Sequence, residues 1–346
     1  MSGILFLLFQ AAWNPAAGPQ PGSNAWDGDP IDLATGLYEN VSTDFENVTR
    51  TYRTLDARSR AFGIGANHAY DVFLVGDSTN FTWIDLINPD GGRYHYVRTS
   101  PGTGYVDAEL IHNSTPTMFF HSKLRWNRQW GGWDLTLVNG TIYQFPASAH
   151  AVRSSQGAAI SVRGPDGSGV KIDRNDDGDI LRIVASNGRR LDFTYDTAHR
   201  VTEAKDDRGR SASYRYDERG RLVFAKLPTG QTLRYTYDVY HRMLTVEKDG
   251  KLFLTNTYDH AGRAVRQDVA SGFFLLTYTE DPNGRIVQTE VRNPGGQRRR
   301  VVFNAERYII NDTRNLGTAD EETILYELEP GSNRVLNWRI VRPEPL

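Results

Sequence analysis

The chain has 346 residues and no cysteine, with 40 Lys and Arg against 42 Asp and Glu for a formal net charge of −2. The length admits about two domains and a sizeable core, and the missing cysteine excludes disulfides, zinc–thiolate sites, iron–sulfur clusters and cysteine nucleophiles. A near-neutral chain offers no field to draw in nucleic acid or an anionic membrane, and no apolar run approaches the ~18 residues of a spanning helix.

Residues 1–24 read as an export signal and linker. Apolar residues from Ile4 to Phe9 are followed by Ala11, Ala12, Ala16 and Ala17, the layout of a secretory signal, although no Lys or Arg precedes them and the apolar run is short. A Pro/Gly/Ser stretch follows. This points to a secreted or cell-surface protein. The whole chain, with 32 Gly, 17 Tyr and 7 Trp, has the profile of short strands joined by glycine turns, and residues 25–165 read as an N-terminal β domain. Within it, Trp126, Trp130 and Trp133, near Phe119, Phe120 and Tyr143, are a candidate sugar-stacking platform. Against that stands the ordinary use of large aromatics as packing.

Asp173, Asn175, Asp177 and Asp179 fit the first half of a calcium loop, with Gly178 and Ile180 in the expected places. Val184 stands where the loop needs a bidentate Glu. The competing reading is a plain hairpin turn, for which Asp-Gly is the usual signal. Calcium is the single cofactor considered, and the first reading is none.

Residues 166–300 carry the strongest signal. Tyr-Asp pairs stand at Tyr195-Asp196, Tyr216-Asp217, Tyr237-Asp238 and Tyr258-Asp259, at a constant step of 21 residues. Each is followed by an arginine four residues after the Asp: Arg200, Arg221, Arg242 and Arg263. A decayed copy starts at Tyr278, with Thr279 in place of the Asp. Before each pair, apolar residues alternate, as in Leu233, Tyr235 and Tyr237, so each repeat is a hairpin with one buried face. The Asp accepts backbone N–H groups in an Asx-turn, and Gly220 and Gly262 supply its positive φ. His199 and His241 hold the same turn position in other copies, roughly 19 Å apart on a sheet and too far for one metal. The Asp–Arg pairs read as turn geometry worth under ~1 kcal/mol each, not as catalytic carboxylates. Residues 301–346 add strands, with 320–329 (DEETILYELE) a candidate short helix.

These motifs resemble the RHS/YD-repeat family, which includes bacterial polymorphic-toxin shells, wall-associated proteins and the teneurins. Residues 28–36 (GDPIDLATG), the stretch Arg50-Thr51-Tyr52-Arg53, and 133–137 (WDLTL) are similar to the domain that precedes the repeats in bacterial members. The resemblance implies a β-sheet spiralling into a hollow shell around a cargo or toxin domain. The paired Asp-Pro-x-Gly region of the family's self-cleavage is not matched: Asp281-Pro282-Asn283-Gly284 lies inside a repeat, so no cleavage residues carry over.

The expectation is an all-β fold, tandem antiparallel hairpins forming a curved sheet, a partial shell, continuous with the N-terminal β domain. Five or six repeats give ~10–12 strands, whereas enclosing a 100-residue cargo takes about 29. The chain is therefore expected to be a short member, a fragment or a subunit. Open edges then call for self-association or capping by the N-terminal domain. The function expected is structural and non-catalytic: part of an exported shell or surface scaffold for a polypeptide cargo or a further repeat-containing chain. Two other readings stay open, a carbohydrate-binding or adhesion module built on the tryptophans, and a secreted hydrolase with unidentified carboxylates.

Overall fold

The computed structural model describes residues 25–343 apart from 47, 90, 91, 149 and 150. The export signal expected in 1–24 lies outside the described residues. The fold is all-β: one antiparallel sheet of 24 strands runs from Phe73–Gly76 to Val335–Val341. Each strand pairs with the next in sequence, and no register joins the last strand to the first among the described residues, so the ribbon curves but stays open. This is the sheet of tandem hairpins that the alternation predicts. It also takes in the strands Phe73–Gly76 through Ser161–Arg163, and so runs across residue 165 without a break. The expected 10–12 strands are too few for this reason. Twenty-four strands still span only ~115 Å at the usual spacing, short of the ~140 Å around a 100-residue cargo.

Period two does the sorting. Leu191 and Phe193, Ala212 and Tyr214, and Leu233 and Tyr235 are buried on one face, while their neighbours along the strand are more exposed. The tail forms a strand, Glu322–Leu328, where a short helix was expected. Ile324 and Tyr326 are buried there on the same inner face, and a two-residue period satisfies both where a helical turn would not. The two ends of the ribbon differ. Phe73 is bridged by Ala158, and Ala159 N–H donates to the Val72 carbonyl at 2.9 Å. At the far end Leu336, Trp338 and Ile340 are exposed.

Residues 25–72 make three small sheets: Trp26–Asp27 with Ile31–Asp32; Glu39–Phe45, Val48–Arg53 and Ala66–His68; and Ser59–Arg60 with Gly63–Ile64. Ile31, Leu33, Tyr38, Tyr52 and Phe62 from this segment share one core with the inner face of the ribbon. Among the described residues no helix is long and apolar enough to cross a membrane.

Candidate functional site: the seam between the N-terminal segment and the repeat rim

Each repeat turns at its Tyr-Asp pair in one way. A one-residue bulge falls just before the turn, between Thr194 and Tyr195, Arg215 and Tyr216, Thr236 and Tyr237, and Thr257 and Tyr258. The Asp then accepts two backbone N–H groups, as Asp217 does from Arg219 (3.0 Å) and Arg221 (2.9 Å). Gly220 and Gly262 adopt φ of +83° and +84°, and His199 and His241 adopt +60° and +66° at the same position.

The side chains extend this into a ladder. Tyr216, Tyr237 and Tyr258 each donate their hydroxyl to a carbonyl 15 residues back, Val201 (2.6 Å), Leu222 (2.8 Å) and Met243 (2.7 Å). Arg200, Arg221, Arg242 and Arg263 pair with their own Asp and lie over the tyrosine of the next repeat, at 4.6, 5.3, 5.1 and 5.0 Å from the ring centroids. Arg221 and Arg242 also donate to the carbonyl of the following Asp, Asp238 (2.8 Å) and Asp259 (2.9 Å). The Asp–Arg pair thus closes its own turn and fastens it to its neighbour. Burial alone would raise the carboxyls of Asp196, Asp217 and Asp259, but the arginine and backbone donors bring them below the ordinary range. In the decayed copy the turn carboxylate is Asp281, paired with Arg285, while Tyr278 still donates to the Ala264 carbonyl.

The N-terminal segment docks along this rim, running broadly against the chain order of the repeats from Arg299 back to Arg174. Trp26 O accepts from Arg299 (3.0 Å), and Leu33 O from Thr289 (2.6 Å). Gly36 O accepts from Ala264 N–H (2.9 Å). The Tyr52 hydroxyl donates to His241 O (2.7 Å) and accepts from Met243 N–H (3.0 Å). Ile64 N–H donates to Gly220 O (3.0 Å), Ala61 O accepts from Val201 N–H (2.8 Å), and Tyr70 O accepts from Arg174 (2.7 Å). Separate pieces of the segment thus bond to separate repeats along the rim.

At the centre lies a buried ion pair. Arg50 and Asp44 have no side-chain exposure and meet at 3.0 Å. Tyr214 from the sheet donates to Asp44 Oδ2 (2.8 Å), Arg50 donates to the Tyr235 hydroxyl (3.1 Å), and Ser42 donates to Asp44 Oδ1 (2.6 Å). The guanidinium also lies 5.9 Å from the Phe62 and Tyr214 rings and 5.6 Å from that of Tyr235. Burial by itself would lower the Arg50 pKa, but Asp44 and the two phenol oxygens hold it well above its ordinary value. Tyrosines placed on the inner face by strand alternation therefore supply partners to a charge pair from a segment more than 160 residues away in sequence, with Arg50 Nη1 alone left without a hydrogen-bond acceptor in that pair. The sequence singled out Arg50 and Tyr52 only through a family-like stretch; nothing in it joined Arg50 to Tyr214 and Tyr235.

The calcium-loop residues are divided. Asp173 lies in the strand Gly169–Arg174 and pairs with Lys171 at 3.0 Å. Asn175 accepts Asp179 N–H (2.8 Å), as the Asp of a repeat turn does. Asp177 and Asp179 converge instead with His199, one ligand atom from each lying within 4.8 Å of the others. The tryptophans divide as well. Trp126 and Trp133 are cross-strand partners, edge to face at 5.5 Å. Trp130 lies over Gly132 and donates to Asp134 (3.0 Å), on the opposite side of the strand from the Trp133 ring.

Two sequence families match the chain: one described as Teneurin YD-shell over residues 160–246, and a domain of unknown function, DUF6531, over residues 28–96. No curated protein matches. Among solved structures, similarity is found to TcdB2-TccC3 at 10% identity and a TM-score of 0.37, covering 93% of this chain and 18% of that one. It is also found to the Photorhabdus luminescens Tc holotoxin pore, at 12% identity and a TM-score of 0.31, covering 91% and 21%. The chain thus spans about a fifth of the length of these solved chains, and likenesses at these scores carry no argument. The two sequence matches fall on the docking segment with the first strands of the sheet, and on the first regular repeats. With its 21-residue ladder of tyrosines and arginines, the chain carries YD-shell repeats of the RHS/YD-repeat kind where the Teneurin YD-shell model matches, over residues 160–246, behind a segment that matches DUF6531.

Proposed function

We propose that the protein is a non-catalytic wall segment of an exported or surface-displayed YD-repeat shell, which wraps or presents another polypeptide. The observation that carries this reading is the ribbon together with its docked N-terminal segment. The conserved-step rim is consumed in binding that segment, and the ladder carboxylates are each neutralised by an arginine rather than held free for proton transfer. A wall of this kind has to keep its shape, and every repeated polar group described above is committed to shape.

The test is protease protection. The chain is co-expressed with the polypeptide encoded next to it, purified through a tag on the chain, and treated with a protease that digests the neighbour made alone. Co-purification with protection is the expected result. A neighbour that elutes separately and is digested at its unaided rate would sink the proposal.

A further inference from the structure

The ladder is broken at its beginning, and a cavity opens there. Counting back one step of 21 from Tyr195, Asp196 and Arg200 gives Arg174, Asn175 and Asp179. Asn175 still makes the turn and the bulge still falls before Arg174. The tyrosine has become an arginine, and the arginine an aspartate. Beside them is a cavity of about 290 Å³, near the lower limit of small-molecule sites. Its walls come from three separate stretches: Arg60, His68 and Asp71 of the docking segment, Arg153 to Ser155 at the start of the 3-10 turn Ser154–Gly157, and Arg174, Asp179 and His199 of the sheet.

The guanidiniums there are not all met by carboxylates. Arg174 donates only to main-chain carbonyls, of Tyr70 (2.7 Å), Gly178 (2.8 Å) and Ala159 (3.1 Å). No carboxylate among the described residues lies within 4.0 Å of it. Arg153 approaches Asp179 at 3.6 Å, and its buried Nη1 has no hydrogen-bond acceptor. Asp179 is already taken by His199 Nδ1 at 2.7 Å. Arg60 pairs with Asp56 at 3.1 Å, leaving Asp71 a distant 3.7 Å away. With Arg60 held by Asp56, what the cavity offers is donor capacity: the buried Arg153 Nη1 without an acceptor, and an Arg174 fork that meets main-chain carbonyls and no carboxylate, a geometry suited to an oxyanion. Burial lowers the Arg174 pKa, with Asp71 and Asp179 only partly offsetting it.

We propose that this cavity binds a small oxyanion of the phosphate, sulfate or carboxylate class, held by Arg153 and Arg174. Such a ligand joins the docking segment, the 3-10 turn and the first repeat. This does not rest on the shell reading, since the cavity and its charges belong to the isolated chain. A cation on Asp177, Asp179 and His199 is the rival occupant, disfavoured because the Arg153 guanidinium stands 3.6 Å from Asp179.

The test is thermal melting of the full chain at constant ionic strength, titrated separately with sodium phosphate, sodium acetate and calcium chloride. Arg174→Gln and Arg153→Gln are compared with the unmodified chain, the second being the safer variant because its side chain is partly exposed. Phosphate, acetate or both should raise the melting temperature saturably, by a few degrees well above the dissociation constant. The order of the two arms identifies the source as a tetrahedral or a planar anion. Arg153→Gln should weaken the apparent affinity about tenfold or more. A response to calcium alone, no saturable response to either anion, or equal responses in Arg153→Gln and the unmodified chain would each overturn the site.

Discussion

The stretch of ribbon from Arg190–Tyr195 to Gly272–Glu280 and the stretch before it, from Phe73–Gly76 to Ser161–Arg163, pair their strands in the same antiparallel order. Only the later stretch carries the 21-residue motif. The earlier one holds its hairpins with less regular means, such as the Trp126–Trp133 cross-strand pair and Arg98, which donates to the carbonyls of Ser100, Pro101 and Gly104. Strand pairing therefore does not need the motif. What the motif adds is an evenly spaced rim, and most of the docking bonds of the N-terminal segment described above land on it. Repetition of sequence here specifies a surface for another part of the chain more than it specifies the sheet.

The largest test of this contrast is the buried pair. Arg50→Ala leaves Asp44 uncompensated and should cost about 3–5 kcal/mol in denaturant unfolding. The double change Arg50→Met with Asp44→Leu should recover most of that loss. If Arg50→Ala costs no more than a substitution at an exposed site such as Arg128, the N-terminal segment does not hold the rim.

The pH dependence comes next, and both responsible groups lie in the docking segment. Burial brings the His68 pKa down from 6.5 to about 4, so the unfolded chain takes up a proton between those values that the folded chain refuses. Stability from this group falls as pH drops from 6.5 towards 4, by on the order of 2–3 kcal/mol. Burial raises Asp32 from 3.8 to about 6, which acts in the opposite sense. Its folded form binds the proton first, so stability from Asp32 rises as pH drops from 6 towards 3.8. Asp32→Asn should therefore steepen the acid-side loss and His68→Gln should flatten it, read from unfolding midpoints between pH 4 and 7. Unchanged slopes in both variants would contradict the burial of this segment.

Glycines sharpen the same contrast. Gly63 has φ +88°, and a Cβ there would lie 2.5 Å from the Gly220 carbonyl across the seam. Gly188, at an open turn with φ +81°, would meet nothing. Gly63→Ala should cost roughly 2 kcal/mol or more and Gly188→Ala about 1, since the second carries only the backbone term. Smallest is the ladder rung: Tyr237→Phe removes one buried hydroxyl bond and should cost about 1 kcal/mol. A cost near zero would make the ladder ornamental.

Much of this was legible in the residues. Period-two alternation marked the strands, and the Asp with a Gly or His three residues on marked the turns, because an Asx-turn and a positive φ are decided within five residues. The Asp–Arg pairs were read as local turn geometry; their second role, reaching the next repeat, involves groups 17 residues apart and left no local trace. The first turn was legible as a hairpin from Asp177-Gly178, but not its changed side chains, because Arg174, Asn175 and Asp179 replace the Tyr, Asp and Arg while Gly178 keeps the turn. Asp320 to Glu329 suggested a helix from its charged ends, and the inner face of the ribbon made it a strand.

By itself the sequence determined what short-range forces decide: that the chain is β, where it turns, and that its repeats stack at one step. Only the tertiary structure decided what the stacked rim is for. Arg50 and Asp44 become tolerable in the core only when Tyr214 and Tyr235, from the far side of the molecule, supply their hydroxyls. Satisfaction of buried charge belongs to the assembled core and cannot be read from either stretch alone.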